Sequence, residues 1–439
     1  MAKERFFLEL TPPSELLREA PHVVIIGGGF AGLKAAHALA GKAVRVTLID
    51  RRNFNLFQPL LYQVATGLVS ATDVASPLRV MLGAATNIQI LMGEVTDIDP
   101  TARAVTFDNH QLRYDHLIVA AGATSSFFGH DAWQAHATPM KSLSDATAIR
   151  QRVLSALEEA EHTTDPERRR LLQSVVVVGG GPTGCELTAS LNDLLRHTLE
   201  RDFKQIDPHQ SRVTLVDPGD RVLRAMDPQL SKAAGDHLQR CGVELLLGGR
   251  VQSVEAGRLV VSTAGGEVTL EAGTICWTAG VAASPLGRLL AERTGCSLDR
   301  GGRVVVEPDF SIPGHPEIRV VGDLCSYGHT ANDTPLPGMA GPAVQMGGWV
   351  AHDILARLQN QPHGSFTFVD LGSMAVVGPL FAVANLRGLK VSGALGWLLW
   401  SLAHLAFMPD PENRVTLLIK WLWMIVGRQR SALLIQDTP

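Results

Sequence analysis

Val23–Asp50 reads VVIIGGGFAGLKAAHALAGKAVRVTLID, and this stretch decides the fold. Val23–Ile26 is an uninterrupted apolar run, as expected of a strand buried on both faces. Gly27, Gly29 and Gly32 follow it in the spacing G-x-G-x-x-G. A helical stretch comes next, then a second strand, Arg45–Asp50. Gly27 permits the tight turn, Gly29 lets the backbone approach a pyrophosphate, and Gly32 lets the helix pack close on the strand. The helix N-terminus then offers unpaired N–H groups and the positive end of its dipole to the phosphates. Asp50 ends the second strand 23 residues beyond Gly27, where it can accept hydrogen bonds from ribose hydroxyls.

The unit recurs about 150 residues later. Ser174–Glu186 reads SVVVVGGGPTGCE, with Gly179, Gly181 and Gly184 in the same spacing and a second strand at Arg212–Asp217. Asp217 lies 38 residues after Gly179, and the excess fits a longer helix and loop through Leu194–Gln210. An acid at this place repels a 2′-phosphate and binds a free 2′-hydroxyl, which favours NADH over NADPH. Arg221 and Arg224 lie close behind and read as surface charges. Two dinucleotide sites in one chain imply electron transfer between two dinucleotides, most simply FAD and NADH. The protein's part in such a transfer is alignment.

The rest of the chain is consistent with this frame. Its 439 residues suit two or three domains. Hydrophobic residues make up 46% and charged residues 19%, the balance of a folded protein. A net charge of -4 provides no basic field, which argues against nucleic acid as a partner. The five cysteines, Cys185, Cys241, Cys276, Cys296 and Cys325, form no Cys-x-x-Cys pair or zinc spacing. They suggest a reducing compartment, with Cys185 a buried structural thiol. The first residues lack the apolar run of a secretory signal, so the core is expected in the cytoplasm. The 15 histidines form no metal-binding pattern and no metal is expected. Ala104–Phe107 and Arg258–Ser262 read as antiparallel insertions. Leu117–Ala120 and Thr274–Thr278 are strands running into the loops AAGATS and TAGVAAS, which look like crossovers between domains. The charged run Glu158–Arg170 reads as a solvated helix end and linker.

From Pro21 onward the chain resembles the type II NADH dehydrogenases, flavoproteins related to the disulfide reductases. Phe57–Ser70 (FQPLLYQVATGLVS) is similar to that family's flavin-proximal loop, which implies a flavin-side place for Gln58. Asp115–Gly129 (DHLIVAAGATSSFFG) resembles its first crossover, with Gly122. Thr274–Leu286 (TICWTAGVAASPL) resembles its second, with Gly280. Ile318–Cys325 (IRVVGDLC) resembles its late FAD motif, which implies that Gly322 and Asp323 meet the ribityl chain. The resemblance places Gln345 at the last glutamine of a quinone motif, A-Q-x-A-x-Q, with Ala340 and Ala343 as its alanines. Gly341 replaces the first glutamine and Pro342 follows. It also implies that Lys390 lies near flavin and quinone, the alternative being an ordinary interfacial lysine. Glu186 matches an acid near the nicotinamide that relays protons to the quinone, the alternative being compensation of the helix dipole. The lack of a redox cysteine pair argues against disulfide reductases and sulfide:quinone oxidoreductases.

The C-terminal part changes character. Val391–Met408 (VSGALGWLLWSLAHLAFM) carries no formal charge, and Val415–Val426 carries one lysine. Four of the seven tryptophans fall between Trp397 and Trp423, and Arg387, Lys390, Arg414, Lys420, Arg428 and Arg430 flank or interrupt the runs. Such a composition suits helices lying in a membrane interface. A hairpin broken at Met408–Pro411 and a buried core or dimer interface are the alternatives.

The expected fold is therefore α/β: two Rossmann-like dinucleotide-binding domains, for FAD and NADH, plus a C-terminal amphipathic helical membrane-binding segment. The expected divisions are an FAD domain in two parts, 20–135 and 278–350, an NADH domain, 136–277, and a membrane-anchoring, quinone-side part, 351–439. The expected activity is oxidation of NADH through FAD with two-electron reduction of a membrane quinone, without proton pumping. The expected location is the cytoplasmic face of the cell membrane, bound peripherally to the bilayer surface, with a homodimer left open. A soluble NADH:ferredoxin-type reductase and a flavin-bearing redox sensor are the competing readings.

Overall fold

The structure is a computed structural model that describes residues 6–8, 17–198, 202–330, 333–427, 430 and 432–435. The chain forms two compact units. The first is Met1–Leu56, Ala75–Thr124 and Val281–Asp370; the second is Phe57–Val74, Ser125–Gly280 and Leu371–Pro439. Residues 351–439 are thus divided between the units at 370/371, and Phe57–Val74, which contains the Phe57–Ser70 loop expected near the flavin, belongs to the second.

In the first unit a six-stranded sheet runs Ser311–Ile312, His315–Val320, His116–Val119, His22–Ile26, Arg45–Asp50, Ile88–Met92. All neighbours but the outermost Ser311–Ile312 pair are parallel. The strand His22–Ile26 is buried throughout, as its apolar run requires. Gly27 turns at φ +100°, and a Cβ there would lie 2.4 Å from the Ala120 carbonyl oxygen. The turn feeds the helix Phe30–Leu39, which packs against the long helix Ala340–Leu358. That contact is made backbone to backbone: a Cβ on Gly347 would lie 2.1 Å from the Ala31 carbonyl oxygen. Val95–Asp99, Ala104–Phe107 and His110–Arg113 form an antiparallel insertion, with Phe6–Phe7 added in parallel at its edge.

A buried ion cluster ties the long helix to the sheet. The Arg319 guanidinium, fully buried, donates to Asp353 Oδ2 at 2.9 Å, and Arg357 Nε donates to the same oxygen at 2.8 Å. Removing one partner of a buried pair leaves the other charge uncompensated, which costs about 3–5 kcal/mol. Asp353→Ala is therefore expected to destabilise the first unit by that order, read as a lowered urea midpoint by circular dichroism.

The second unit repeats the plan. Its parallel sheet runs Thr138–Pro139, Thr274–Trp277, Ser174–Val178, Arg212–Asp217, Glu244–Leu247. The duplication reaches the register: each central strand pairs first residue to first residue with its successor, His22 with Arg45 and Ser174 with Arg212. Arg250–Glu255, Arg258–Thr263 and Gly266–Glu271 form the second antiparallel insertion. The charged run closes the helix Leu143–His162 and then forms the short helix Pro166–Leu172, whose Asp165 cap accepts from the Glu167 N–H. The stretch after Gly184 is the helix Pro182–Asp193 and a single wider turn, Leu194–Thr198; residues 199–201 of the expected long connection lie outside the described residues.

The C-terminal part holds an element that the sequence reading did not include. Ser373–Gly378, Phe381–Leu386 and Leu389–Gly393 make an antiparallel meander. Val391–Gly393 belongs to its last strand, so the first apolar run is a helix only over Ala394–Phe407. Gly393, at φ +82°, makes the change of direction that an L side chain resists. The second helix, Pro411–Gly427, starts earlier than the apolar run because Pro411 and Glu412 suit a first turn. Among the described residues no helix is long and apolar enough to cross a membrane.

Candidate functional site

Both glycine turns are braced by the acid that follows them. Asp50 Oδ2 accepts from the Gly28 N–H at 2.6 Å and Oδ1 from the Arg52 N–H at 2.7 Å. In the second unit Asp217 Oδ2 accepts from Gly180 N–H at 2.6 Å and Oδ1 from Gly219 N–H at 2.7 Å. The sequence reading assigned these acids only to ribose; they also hold the turn closed. A carboxylate has about four lone-pair sites, so room remains for a ribose hydroxyl on each. The glycines that a phosphate would approach are open. A Cβ at Gly29, Gly122 or Gly181 would meet no atom within 4 Å, whereas at Gly32 and Gly184 it would lie 1.8 and 1.7 Å from the carbonyl oxygens of Gly27 and Gly179. The first turn thus has the open backbone that a pyrophosphate needs; Asp323, expected at the ribityl chain, sits in the Gly322–Leu324 turn, where Gly322 has φ +72°.

The second turn is closed from the side by Thr278. Its hydroxyl donates to the Val178 carbonyl at 2.7 Å, and Gly280 at φ +76° leaves space that the Phe128 ring fills. Gln58 opens a short 3-10 turn, and its side-chain N–H donates to the Lys141 carbonyl at 3.1 Å.

The same unit contains a cleft that is partly open to solvent. The short helix Leu61–Ala65 lends Tyr62 and Gln63 to it, the helix Pro182–Asp193 lends Glu186, Ser190 and Asp193, and the C-terminal helices lend Trp397, Trp400, Trp421 and Met424. Arg430 also lines it. Glu186 is buried, and its carboxyl accepts from the Val376 N–H at 3.3 Å. Burial pushes its pKa up to about 8, the single backbone hydrogen bond pulling only weakly the other way. Glu186 is therefore largely an acid with a proton to give at neutral pH. Arg430 is held by Asp193 at 2.7 Å and by the Thr66 and Ser190 carbonyl oxygens at 2.8 and 3.0 Å.

Two residues assigned to the quinone by resemblance have protein partners. In the first unit Gln345 exchanges a pair of 2.9 Å hydrogen bonds with the Val369 backbone. In the second, Lys390 pairs with Asp227 at 2.7 Å and is not among the residues that line the cleft. Lys420 and Arg430, read from sequence as bases flanking the apolar runs, turn inward instead: Lys420 binds Asp73 and Arg430 binds Asp193. Arg428 lies outside the described residues. Leu398, Leu402, Leu418, Ile419, Leu422 and Trp423 on the two helices are exposed. The five cysteines are unpaired; all but Cys241 are buried, and burial pushes the Cys276 thiol up to about 12.

Residues 21–347 match the family model of the pyridine nucleotide-disulphide oxidoreductases. Among characterised proteins the chain is 41% identical to the type II NADH:quinone oxidoreductase Ndh of Mycobacterium tuberculosis, covering 98% of this chain and 94% of that one. It is 40% identical to NdhA of the same organism, over 94% and 89%. Its fold is like that of NDH2 from Plasmodium falciparum in complex with NADH, with a TM-score of 0.86, 20% identity, and 94% and 99% of the two chains covered. With both braced turns in place and this likeness over nearly its whole length, the chain belongs to the pyridine nucleotide-disulphide oxidoreductase family and, within it, to the type II NADH:quinone oxidoreductases.

Proposed function

We propose that the chain oxidises NADH through FAD and reduces a membrane quinone held in the cleft around Glu186, without pumping protons. The observation that carries the reading is a buried carboxyl, its pKa raised by burial, in a cleft whose lining includes tryptophans of two helices with exposed apolar faces. Bound FAD supplies the hydride chemistry, accepting two electrons from NADH and passing them to quinone. The chain's residues bind and align. Gly27, Gly29, Gly32, Asp50, Gly122, Gly322 and Asp323 hold FAD, with Gln58 on the flavin side; Gly179, Gly181, Gly184, Asp217 and Gly280 hold NADH.

The overall reaction, NADH + H⁺ + quinone → NAD⁺ + quinol, takes one proton beyond the hydrogen that the hydride carries. Glu186 delivers it to a quinone oxygen and regains it from solvent. Gln345 and Lys390 reach a quinone only by giving up Val369 and Asp227, so the proton step rests on Glu186. The domains follow as an FAD domain, an NADH domain and a C-terminal part on the quinone side. The helices Ala394–Phe407 and Pro411–Gly427 rest on the lipid surface on the cytoplasmic face, their exposed leucines entering the acyl boundary.

Full-length protein with FAD, assayed on vesicles that contain quinone, tests this. Quinol should form with NADH, with kcat/KM for NADPH lower by roughly tenfold or more because Asp217 faces the 2′-phosphate. Equal rates with both nucleotides would overturn the assignment of Asp217, and negligible quinone reduction by a yellow, NADH-bleachable protein would favour a redox sensor. Leu418→Glu with Leu422→Glu places two charges on an exposed apolar face and is expected to release the protein from sedimenting vesicles. Undiminished co-sedimentation would remove these helices from the membrane.

A further inference from the structure

The cleft is also lined by the Tyr62 phenol, which the proton step does not use. We propose that Tyr62 is the hydrogen-bond donor that grips a carbonyl oxygen of the quinone, its proton aimed into the cleft by a relay from Trp421 through Gln63. The inference rests on the reading of the cleft as the quinone site.

The direction of the relay follows from which atoms can donate. An indole N–H donates and never accepts. Trp421 Nε1 lies 2.9 Å from the Gln63 amide, so the Gln63 oxygen faces it. A glutamine amide has only one oxygen, so its NH₂ group is the one that faces Tyr62, donating to the phenol oxygen at 3.0 Å. A phenol oxygen that receives a proton there must send its own elsewhere, and among the described residues no acceptor for it is found. Tyr62 and Gln63 both line the cleft, so the proton is available to an occupant. All three side chains are buried, which protects the relay from water.

The charged groups that line the same cleft are Glu186, Asp193 and Arg430. Burial, with the Glu186 carboxyl nearby, holds the phenol pKa well above its ordinary value, while Gln63 and Arg430 pull it weakly back. Tyr62 therefore keeps its proton through turnover. Its part is to stabilise charge that builds on the quinone oxygen as electrons arrive, a role in which a preorganised donor in a dry site is worth roughly a hundredfold or more in rate. The proton count is unchanged: Glu186 still supplies the single proton, and no further reactant is needed.

The test separates the two half-reactions of the full-length flavoprotein in anaerobic stopped flow: bleaching of the flavin by NADH, then its reoxidation by a short-chain quinone. Tyr62→Phe is expected to slow reoxidation about a hundredfold, with the loss confined to that half. Gln63→Glu keeps the phenol but replaces the NH₂ donor by a carboxylate, which draws the Tyr62 proton toward itself. Burial will lift the new carboxyl as it lifts Glu186, so relative to the native protein at the same pH the variant should slow reoxidation comparably at alkaline pH and recover as pH falls and the carboxyl can donate again; Tyr62→Phe should not recover. A purely structural role for the relay predicts losses in both variants that do not change with pH, so the recovery of Gln63→Glu is the discriminating result. Reoxidation undiminished in Tyr62→Phe, equal losses in both halves, or a flat pH response of Gln63→Glu overturns the proposal. Ala189→Phe, which fills the cleft, tests the underlying reading separately. If it leaves quinone reduction intact, the cleft is not the quinone site and the Tyr62 assignment falls with it. If it blocks reduction while Tyr62→Phe does not, the cleft stands and Tyr62 alone is wrong.

Discussion

Gly32→Ala will yield a colourless protein, and Gly184→Ala a yellow one that NADH no longer bleaches. The added methyl would lie 1.8 Å from the Gly27 carbonyl oxygen in the first case and 1.7 Å from that of Gly179 in the second. Both neighbours are backbone atoms in a turn pinned by an aspartate, so neither can swing aside as a side-chain tip would. The turn has to open, and with it the ring of N–H groups that faces a pyrophosphate. The expected loss of affinity is at least a hundredfold at the affected turn, or about 3 kcal/mol. Flavin absorbance of the purified protein and anaerobic bleaching by NADH are the two readings. The dissociation is the point: the first variant loses both signals and the second only one. A yellow Gly32→Ala protein that retains full flavin would refute the assignment of the first turn.

Glu186→Gln will cut quinone reduction by roughly a hundredfold, the range in which general acids contribute, and will flatten its pH profile. In the native protein the acid form is lost as pH rises through about 8, so quinone reduction should fall over that range. The amide cannot supply a proton at any pH. The same group affects stability, and the sign is fixed by the raised pKa. Between the ordinary value of 4.5 and about 8 the folded protein holds a proton that the unfolded chain has released. Stability therefore declines as pH rises through that window and levels off above it, where both states are ionised and the buried carboxylate carries its full penalty. Glu186→Gln removes the penalty, so at pH 9 the variant should melt at a higher temperature than the native protein while being the poorer enzyme. A variant with native quinone reduction at pH 7 would take Glu186 out of the proton path.

What could be read from the sequence was whatever depends on near neighbours. The strands Arg45–Asp50, Ser174–Val178, Arg212–Asp217 and Ala104–Phe107 fall where their apolar runs end, because a few consecutive residues suffice to specify a buried strand. Glu186, two residues past Gly184, was singled out only by its match to an acid of the family that the chain resembles. Tyr62, Gln63 and Trp421 were not. Gln63 and Trp421 are 358 positions apart, and no periodicity links them. Lys420 misled for a related reason: a lysine interrupting an apolar helix looks like a charge at a lipid boundary until Asp73 is found beside it. The meander Ser373–Gly393 was hidden because Val391–Gly393 continues without a break in hydropathy into the helix that follows. One signal was available: Asn385–Gly388 is a hairpin turn, with Arg387 and Gly388 both at positive φ and the Asn385 side chain accepting from the Gly388 N–H.

The distance along the chain between the walls of the cleft bears on how the protein is made. During translation Tyr62 leaves the ribosome hundreds of codons before Trp421 and Arg430. The last strand of the first parallel sheet, His315–Val320, is also synthesised well before them. The nascent polypeptide thus holds every strand of both parallel sheets while Gln63 still lacks its indole partner. The wall that holds Gln63 is completed last, when the final helix folds back, so a chain clipped before Trp421 would keep the strands of both parallel sheets and lack the indole that orients the Gln63 amide.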